Sequence, residues 1–412
     1  MVIGPGGAGV SVTAASGALG RVTGRQAGTR RPAGAGSPAM TPDRDTLLVT
    51  VDRLSPTASL LGVFRSPDEP VAVSSRLHLL SLDRLALLER TWHEFTAVLS
   101  ETVSRSKVTL PGVGVLADIA PGELVTLPGI EDFLLLRRIR DEAVSGHWRR
   151  IVVDASAHGD PFEFLRASSV LSQSLNRLWP RHRRLAAAAE RPMMAQLTAA
   201  VDAIDRDCAD ITELVSDPHA VAVHLVVGAD DRGERLLPQF LAGVDVMGLA
   251  LRSVVINHGV GHDGDVVATG QIADRLRAVI GADGDDVDCV DVERLDQTID
   301  RAARLRRLGV TLSGPNGRRR GSGDAQVAEI DAGSGSGADR VYELTWRQRL
   351  PEPDALQLGR SGDDLLVTVG GFRHPVRLPS VLRRCTVVDA GWDGAELAIR
   401  FVPDPALWPK GR

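Results

Sequence analysis

Val2-Ile3-Gly4-Pro5-Gly6-Gly7-Ala8-Gly9-Val10-Ser11-Val12-Thr13 runs from a short apolar strand through a glycine-rich turn into a helix of small residues. A turn of this kind gathers backbone N–H groups at a helix N-terminus, where a phosphate would sit. Against the spacing GxxxxGK[ST], Gly4 supplies the first glycine, Gly9 the second and Ser11 the hydroxyl, while Val10 stands where the lysine ammonium belongs. The loop has the shape of a nucleotide cradle without its main counter-charge.

Working outward, Ala14 to Leu19 continues as a helix suited to close packing on a sheet. Residues 21–45 are rich in Gly, Arg, Pro and Thr with no hydrophobic period and read as a flexible surface insertion. Thr46-Leu47-Leu48-Val49-Thr50-Val51-Asp52 is the continuous apolar run of a buried parallel strand and ends in a carboxylate. Ligands of open α/β sheets bind at the C-terminal edge of the strands, so Asp52 and the glycine-rich turn are expected to face one crevice. Trp148 to Asp154 is a second such strand, followed by the small-residue loop Ala155-Ser156-Ala157-His158-Gly159. A third strand (Ala220–Val227) leads into Gly228-Ala229-Asp230 and a helical stretch around Arg235–Val244; a fourth (Leu251–Asn257) ends in Asn257.

Amphipathic spacing predicts a helix over 81–106, acids in the first turn favour one over Phe133–Ser145, and 163–214 reads as mostly helical. Helix Ile272–Ile280, strand Val287–Val290 and a last helix over 292–308 close the alternation. Residues 313–339 are Gly/Ser-rich and read as a linker. Beyond it, short runs at 341–346, 355–359, 364–369, 373–378, 385–389 and 396–401, punctuated by Gly-Asp, Gly-Gly and Asp-Gly, predict a small antiparallel β-sandwich.

Composition bounds the function. A chain of 412 residues is long enough for two or three domains, and 43% hydrophobic with 25% charged residues is ordinary for a globular protein. The net charge of −5 excludes a nucleic-acid surface as the main theme. Cys208, Cys289 and Cys385 are widely spaced, which suggests neither a zinc knuckle nor a disulfide framework and gives no thiol triad for a soft metalloid. With neither a signal-type N-terminus nor an apolar window of membrane-spanning length, the expected location is the cytoplasm, with peripheral membrane contact at most.

The order of these segments resembles the ArsA family of P-loop ATPases, which includes arsenite-pump ATPases and the GET-pathway ATPase that targets tail-anchored membrane proteins. The family loop GKGGVGKTT is mirrored by Gly4 to Val12, with Pro5 for the signature lysine and Val10 for the Walker lysine. The switch DPAHS, after a strand of the form LLVST, keeps the strand and Asp52; PGI[DE] is matched by Pro128-Gly129-Ile130-Glu131; DTAPTGH is matched by Asp154 to Asp160; the asparagine of VVVN corresponds to Asn257. The C-terminal segment resembles an α-crystallin-like, small-heat-shock-protein-like domain.

The resemblance implies an α/β fold, a mostly parallel P-loop NTPase-like sheet flanked by helices, with a C-terminal all-β sandwich. It divides the chain into 1–312, with a helical subdomain at 163–214, a linker at 313–339 and a sandwich at 340–403. It implies ATP or ADP with Mg²⁺ held by Gly4, Gly6, Gly7, Ala8, Gly9, Val10, Ser11 and Val12, with Ser11 and Asp154 toward the metal, Asn257 toward adenine and Asp52 orienting the attacking water. Three functions stay open: a pseudo-ATPase or regulatory subunit, pairing as a homodimer or with an ATPase-competent relative; an active ATPase driving anion transport or membrane-protein targeting; and a nucleotide-independent, chaperone-like protein with a protein client. Without either lysine, turnover is expected to be very slow, because a cation at the transferred phosphoryl group contributes about three to five decades in rate. For each residue the plain reading stands beside the functional one: a tight turn at Gly4–Ser11, strand-end caps at Asp52 and Asp154, a turn at Asn257 and a surface position for His158.

Overall fold

The computed structural model describes residues 1–20, 44–105, 129–156, 160–190, 192–259, 266–281, 287–318, 326–331, 340–347, 356–394 and 396–408. The expected insertion at 21–45, up to residue 43, and His158 and Gly159 lie outside the described residues, as does Pro128. In chain order the elements are β1 (Val2–Ile3), α1 (Val10–Leu19), β2 (Arg44–Thr50), α2 (Thr57–Leu61), β3 (Val71–Ala72), β4 (Leu77–Ser81), α3 (Arg84–Arg105), α4 (Ile130–Val144), β5 (Trp148–Asp154), α5 (Pro161–Leu165), α6 (Ala167–Leu178), α7 (Arg181–Glu190) and α8 (Pro192–Ser216). There follow β6 (Val223–Gly228), α9 (Asp231–Val246), β7 (Leu251–Asn257), α10 (Val266–Gly281), β8 (Asp288–Val292), α11 (Ala302–Arg307), and β9 to β15 at Gln326–Asp331, Val341–Arg347, Leu356–Ser361, Asp364–Val369, Phe372–Arg377, Cys385–Trp392 and Glu396–Pro403.

The chain forms two compact units, one of residues 1–215 with 295–314, the other of 216–294 with 315–412. In the first unit the strand order is β3-β4-β2-β5-β1. β2 pairs in parallel with both β4 and β5, β5 in parallel with β1, and only the two-residue β3 runs antiparallel. The apolar runs foreseen for buried strands are buried: Val2, Ile3, Leu47, Leu48 and Val49 have no exposed surface. α1 packs on this sheet, while α3, α4 and α6 pack one against the next.

In the second unit β6, β7 and β8 are parallel and in order, and α9 packs on β6. An added Cβ at Gly233 would lie 2.0 Å from the carbonyl oxygen of Gly228, so only glycine lets α9 approach β6 this closely. The same unit holds two antiparallel sheets, β14-β15-β10-β9 and β11-β12-β13. Their core follows strand periodicity, with Leu365, Val367 and Val369 inward on β12 and Leu397, Ile399 and Phe401 on β15. The fold class agrees with the expectation: a mostly parallel sheet flanked by helices, then antiparallel β-structure.

Four local readings differ. β2 ends at Thr50, so Asp52 sits two residues beyond the strand in a turn. β4 (Leu77–Ser81) was not foreseen, and β9 arises within the stretch read as linker, where Gln326 to Asp331 pairs with β10. The helix expected over 292–308 is reduced to α11, because β8 runs to Val292 and Arg304 binds both the Thr298 carbonyl and Asp300 ahead of the helix. No described helix is long and apolar enough to cross a membrane.

Candidate functional site

The glycine-rich turn is built by two positive-φ glycines. The Ala8 N–H bonds the Pro5 carbonyl at 3.1 Å, closing a four-residue turn whose third residue, Gly7, has φ +84°. A glycine is required at that place because a Cβ is crowded in the left-handed region. Gly9, at φ +92°, then turns the chain into α1 and stands at its N-cap with no side chain covering the first-turn N–H groups. A Cβ at Gly6 would meet no atom within 4 Å, so the space over the turn is open. Gly6 and Gly7 are exposed, Gly4 and Ala8 are buried, and Val10 is buried to 3% exposure, its apolar side chain packed inward where a lysine would extend to phosphate.

The sheet order brings the carboxylates to this turn. β5 lies between β1, which feeds the loop, and β2, which leads to Asp52; Asp154 pairs in register with Val2 on one side and Thr50 on the other. Asp154 is 1% exposed. Its Oδ1 accepts the Ser156 N–H at 3.2 Å, and its Oδ2 is buried without a well-directed hydrogen bond from the described residues. Burial pushes the Asp154 carboxyl up from the usual carboxylate range; the hydroxyls of Ser11 and Ser156 and the Ser156 N–H offset this in part, and the Asp52 charge adds to it. Hydroxyls and a backbone N–H, rather than a cation, are therefore what ease this charge. Asp52 is half-buried and holds its own turn, with Oδ1 accepting from Leu54 N at 2.8 Å and its carbonyl accepting from Ser55 N at 3.1 Å. Arg53 beside it is exposed, and its carbonyl is bound by Arg65.

Ser11 and Ser156 meet across the site, Oγ to Oγ at 2.9 Å. Ser156 was read only as part of a loop; a serine two places after a strand-end aspartate carried no signal that it would face Ser11, 145 residues away. The described structure thus brings Ser11, Asp154, Ser156 and Asp52 to one sheet edge, with Val12 half-buried on the next position of α1. Asn257 belongs to the second unit, at the end of β7, where its Oδ1 accepts from Gly259 N at 3.0 Å. Beside it His258 Nε2 lies 2.7 Å from Asp291, which Arg277 also binds at 2.7 Å. No group of three or more His, Cys, Asp or Glu side chains placed to hold a metal occurs among the described residues.

The donor set can be tested against a magnesium nucleotide. Ser11 Oγ and Asp154 are hard oxygen donors of the kind Mg²⁺ accepts, with one carboxylate oxygen lacking a directed partner. The uncapped start of α1 and the open turn suit a phosphate. Among the described residues no cationic side chain adds to this set, so none of them supplies charge stabilisation for phosphoryl transfer.

The profile of the family described as "Anion-transporting ATPase" matches residues 33–262, and that of the "HSP20-like domain found in ArsA" matches 339–401. The first match begins beyond the Gly4–Ser11 turn. The chain is 32% identical to Protein Rv2184c of Mycobacterium tuberculosis, covering 97% of each chain. It is 30% identical to the protein SCO2128 of Streptomyces coelicolor, over 100% of this chain and 99% of the other. A putative arsenical pump-driving ATPase of Chlorobaculum tepidum is 20% identical over 81% of this chain and 83% of its own. With a profile match over more than half its length, Asp154 and Asp52 gathered beside a glycine-rich turn and a C-terminal β-structure of the matching kind, this chain belongs to the anion-transporting ATPase (ArsA) family and carries its HSP20-like domain.

Proposed function

We propose that this protein is a pseudo-ATPase of the ArsA type, a regulatory subunit that retains a phosphate cradle and pairs with an ATPase-competent relative. The observation that carries this reading is Val10: the position of the Walker lysine is filled by a side chain buried to 3% exposure. Pro5, in the place of the second lysine, is buried as well, with its carbonyl closing the turn. A nucleotide would bring its phosphates to the N–H groups at the start of α1, with Ser11 and Asp154 toward Mg²⁺. Bound nucleotide supplies a phosphoanhydride whose cleavage requires charge stabilisation at the transferred group. Asp52 can orient water, but two carboxylates with no cation beside them among the described residues oppose the negative charge that develops. Binding is supported by this chemistry and turnover is not.

Family resemblance and the missing cations together favour a second subunit that provides the lysines. The HSP20-like β-structure then serves as an interaction module for a protein client. The test is calorimetry with Mg²⁺-ADP combined with a hydrolysis assay on the purified chain. Binding that Asp154→Asn weakens, with no turnover, is the expected result. Hydrolysis at rates typical of phosphate-loop ATPases, abolished by Asp52→Asn, would overturn it. Co-expression with an ArsA-like protein bearing an intact GKGGVGKT loop is expected to yield a mixed dimer by size-exclusion chromatography with light scattering.

A further inference from the structure

We propose that the corner between α6 and α7 is a docking surface for an anionic lipid bilayer, with Leu178 entering the interface and the arginines around it holding the headgroups. The stretch Arg177-Leu178-Trp179-Pro180-Arg181-His182-Arg183-Arg184-Leu185 joins the two helices. From 164 to 189 the chain has five arginines and no Asp or Glu, in a protein whose net charge is −5. Leu178 is 85% exposed and Leu185 54%, and Arg177, Arg181 and Arg183 are exposed as well. Among the described residues no carboxylate pairs with Arg181 or Arg183. Exposed leucines set among unpaired cations on an ordered helix corner fit a partner that is apolar and acidic at once.

The fold aims this corner outward. Arg184, fully buried, lies between Asp202 at 3.1 Å and Asp205 at 3.2 Å on α8, which fixes the inner face of α7. On α6, Ser172 donates to the same Asp205 at 2.6 Å and Asn176 at 3.3 Å. These two residues, four apart, share the inner stripe of α6, so Leu178, about 200° further round, stands on the outer side. A bilayer supplies both halves of the match: acidic headgroups for the guanidiniums and, just below them, an apolar layer for leucine. Arginine stems lie along that boundary while their charged ends stay in water, and Trp179, half-buried at the corner, is a residue type suited to the headgroup level. Nucleic acid would meet the arginines but not Leu178; an apolar client helix would meet Leu178 but offer nothing to the arginines. No described helix is long and apolar enough to span the bilayer, so the contact is with its surface. The inference does not depend on whether the glycine-rich turn holds a nucleotide.

The experiment is flotation of the full chain with vesicles of phosphatidylcholine, alone or with about three parts in ten of phosphatidylglycerol. Flotation with the anionic vesicles only, weakening as salt is raised from about 50 mM to about 500 mM, is the expected result. Arg181→Gln with Arg183→Gln in one chain is expected to weaken it about 25-fold, the product of about five-fold for each charge near such a surface. Leu178→Ser, which keeps the charge, is expected to weaken it several-fold. The thermal midpoints of both variants are expected to match the parent, because the altered side chains are exposed. Failure of the parent to float with anionic vesicles at the lower salt overturns the proposal, as does flotation that the double variant retains. Loss with the double variant but not with Leu178→Ser overturns the lipid reading and reassigns the arginines to an acidic macromolecule, for which poly-glutamate and duplex DNA are the probes.

Discussion

Arg150 closes the far end of α1, the helix that begins at Val10: its Nη2 donates to the Gly17 carbonyl at 3.0 Å and to that of Ala18 at 3.2 Å. A guanidinium there meets the negative end of the helix dipole and satisfies carbonyls that the last turn leaves free. Burial lowers the Arg150 pKa from its ordinary value, so the residue is held against a desolvation cost. Loop and cap sit on one sheet: β1 leads into the loop at one end of α1, and β5 carries the cap to the other.

Arg150→Ala is expected to destabilise the chain by about 1–3 kcal/mol, the range for removing a partner from buried hydrogen-bonding groups. Urea unfolding followed by far-UV circular dichroism reads it, as a lower midpoint with an unchanged slope.

Gly17 is fixed by packing. A Cβ there would lie 2.4 Å from Leu312, so Gly17→Val is expected to cost about 1–3 kcal/mol by overpacking. Leu312→Ala in the same chain should recover part of the loss. A double-mutant cycle measures this as a non-additive term.

Asp154 gives a pH dependence of defined sign. Its pKa is raised in the folded state, so this group's contribution to stability is full below the unfolded-state pKa and is lost as pH rises through the folded one. Asp154→Asn is therefore expected to be more stable than the parent at neutral pH in the absence of ligand, with the gap narrowing on acidification. Thermal midpoints of both forms from about pH 8 down to about pH 4 test it.

Arg184 is fully buried between Asp202 at 3.1 Å and Asp205 at 3.2 Å, and Asp205 also accepts from Ser172 at 2.6 Å. This network joins α6, α7 and α8. Arg184→Ala is expected to cost about 3–5 kcal/mol, because the carboxylates lose their buried counter-charge. Arg184→Met, which keeps the volume, should cost less. Hydrogen exchange over 167–216 reports where the loss falls.

The sequence was most legible where one interaction dominates. Leu47 to Val49 and Val152 to Asp154 read as buried strands because parallel strands are apolar on both faces. Gly4 to Ser11 read as a glycine-rich turn between strand and helix from its spacing, and Gly7 and Gly9 hold the positive φ angles that such a turn uses and other residues resist. β4 was missed since Leu77-His78-Leu79-Leu80 is short and joins a leucine-rich helix, and apolar runs of that length do not separate strand from helix. β9 was missed because glycine and serine on either side outweigh six residues of strand pattern. At the site, Asp52 and Asp154 follow from strand ends, whereas the meeting of Ser11 with Ser156 and the reach of Arg150 to α1 depend on chain segments more than a hundred residues apart.

The discontinuous make-up of the first unit sets an order of events during synthesis. Ser16, in the middle of α1, donates to the carbonyl of Leu305, a residue translated 289 positions later, and Gly17 is shaped to receive Leu312. At about 5–20 residues per second, α1 waits roughly 15–60 s for these partners. The glycine-rich turn leaves the ribosome long before Leu305 and Leu312, and the helix it opens reaches its final packing only with them. Until then a newly made chain has the loop sequence without the packing that fixes its helix.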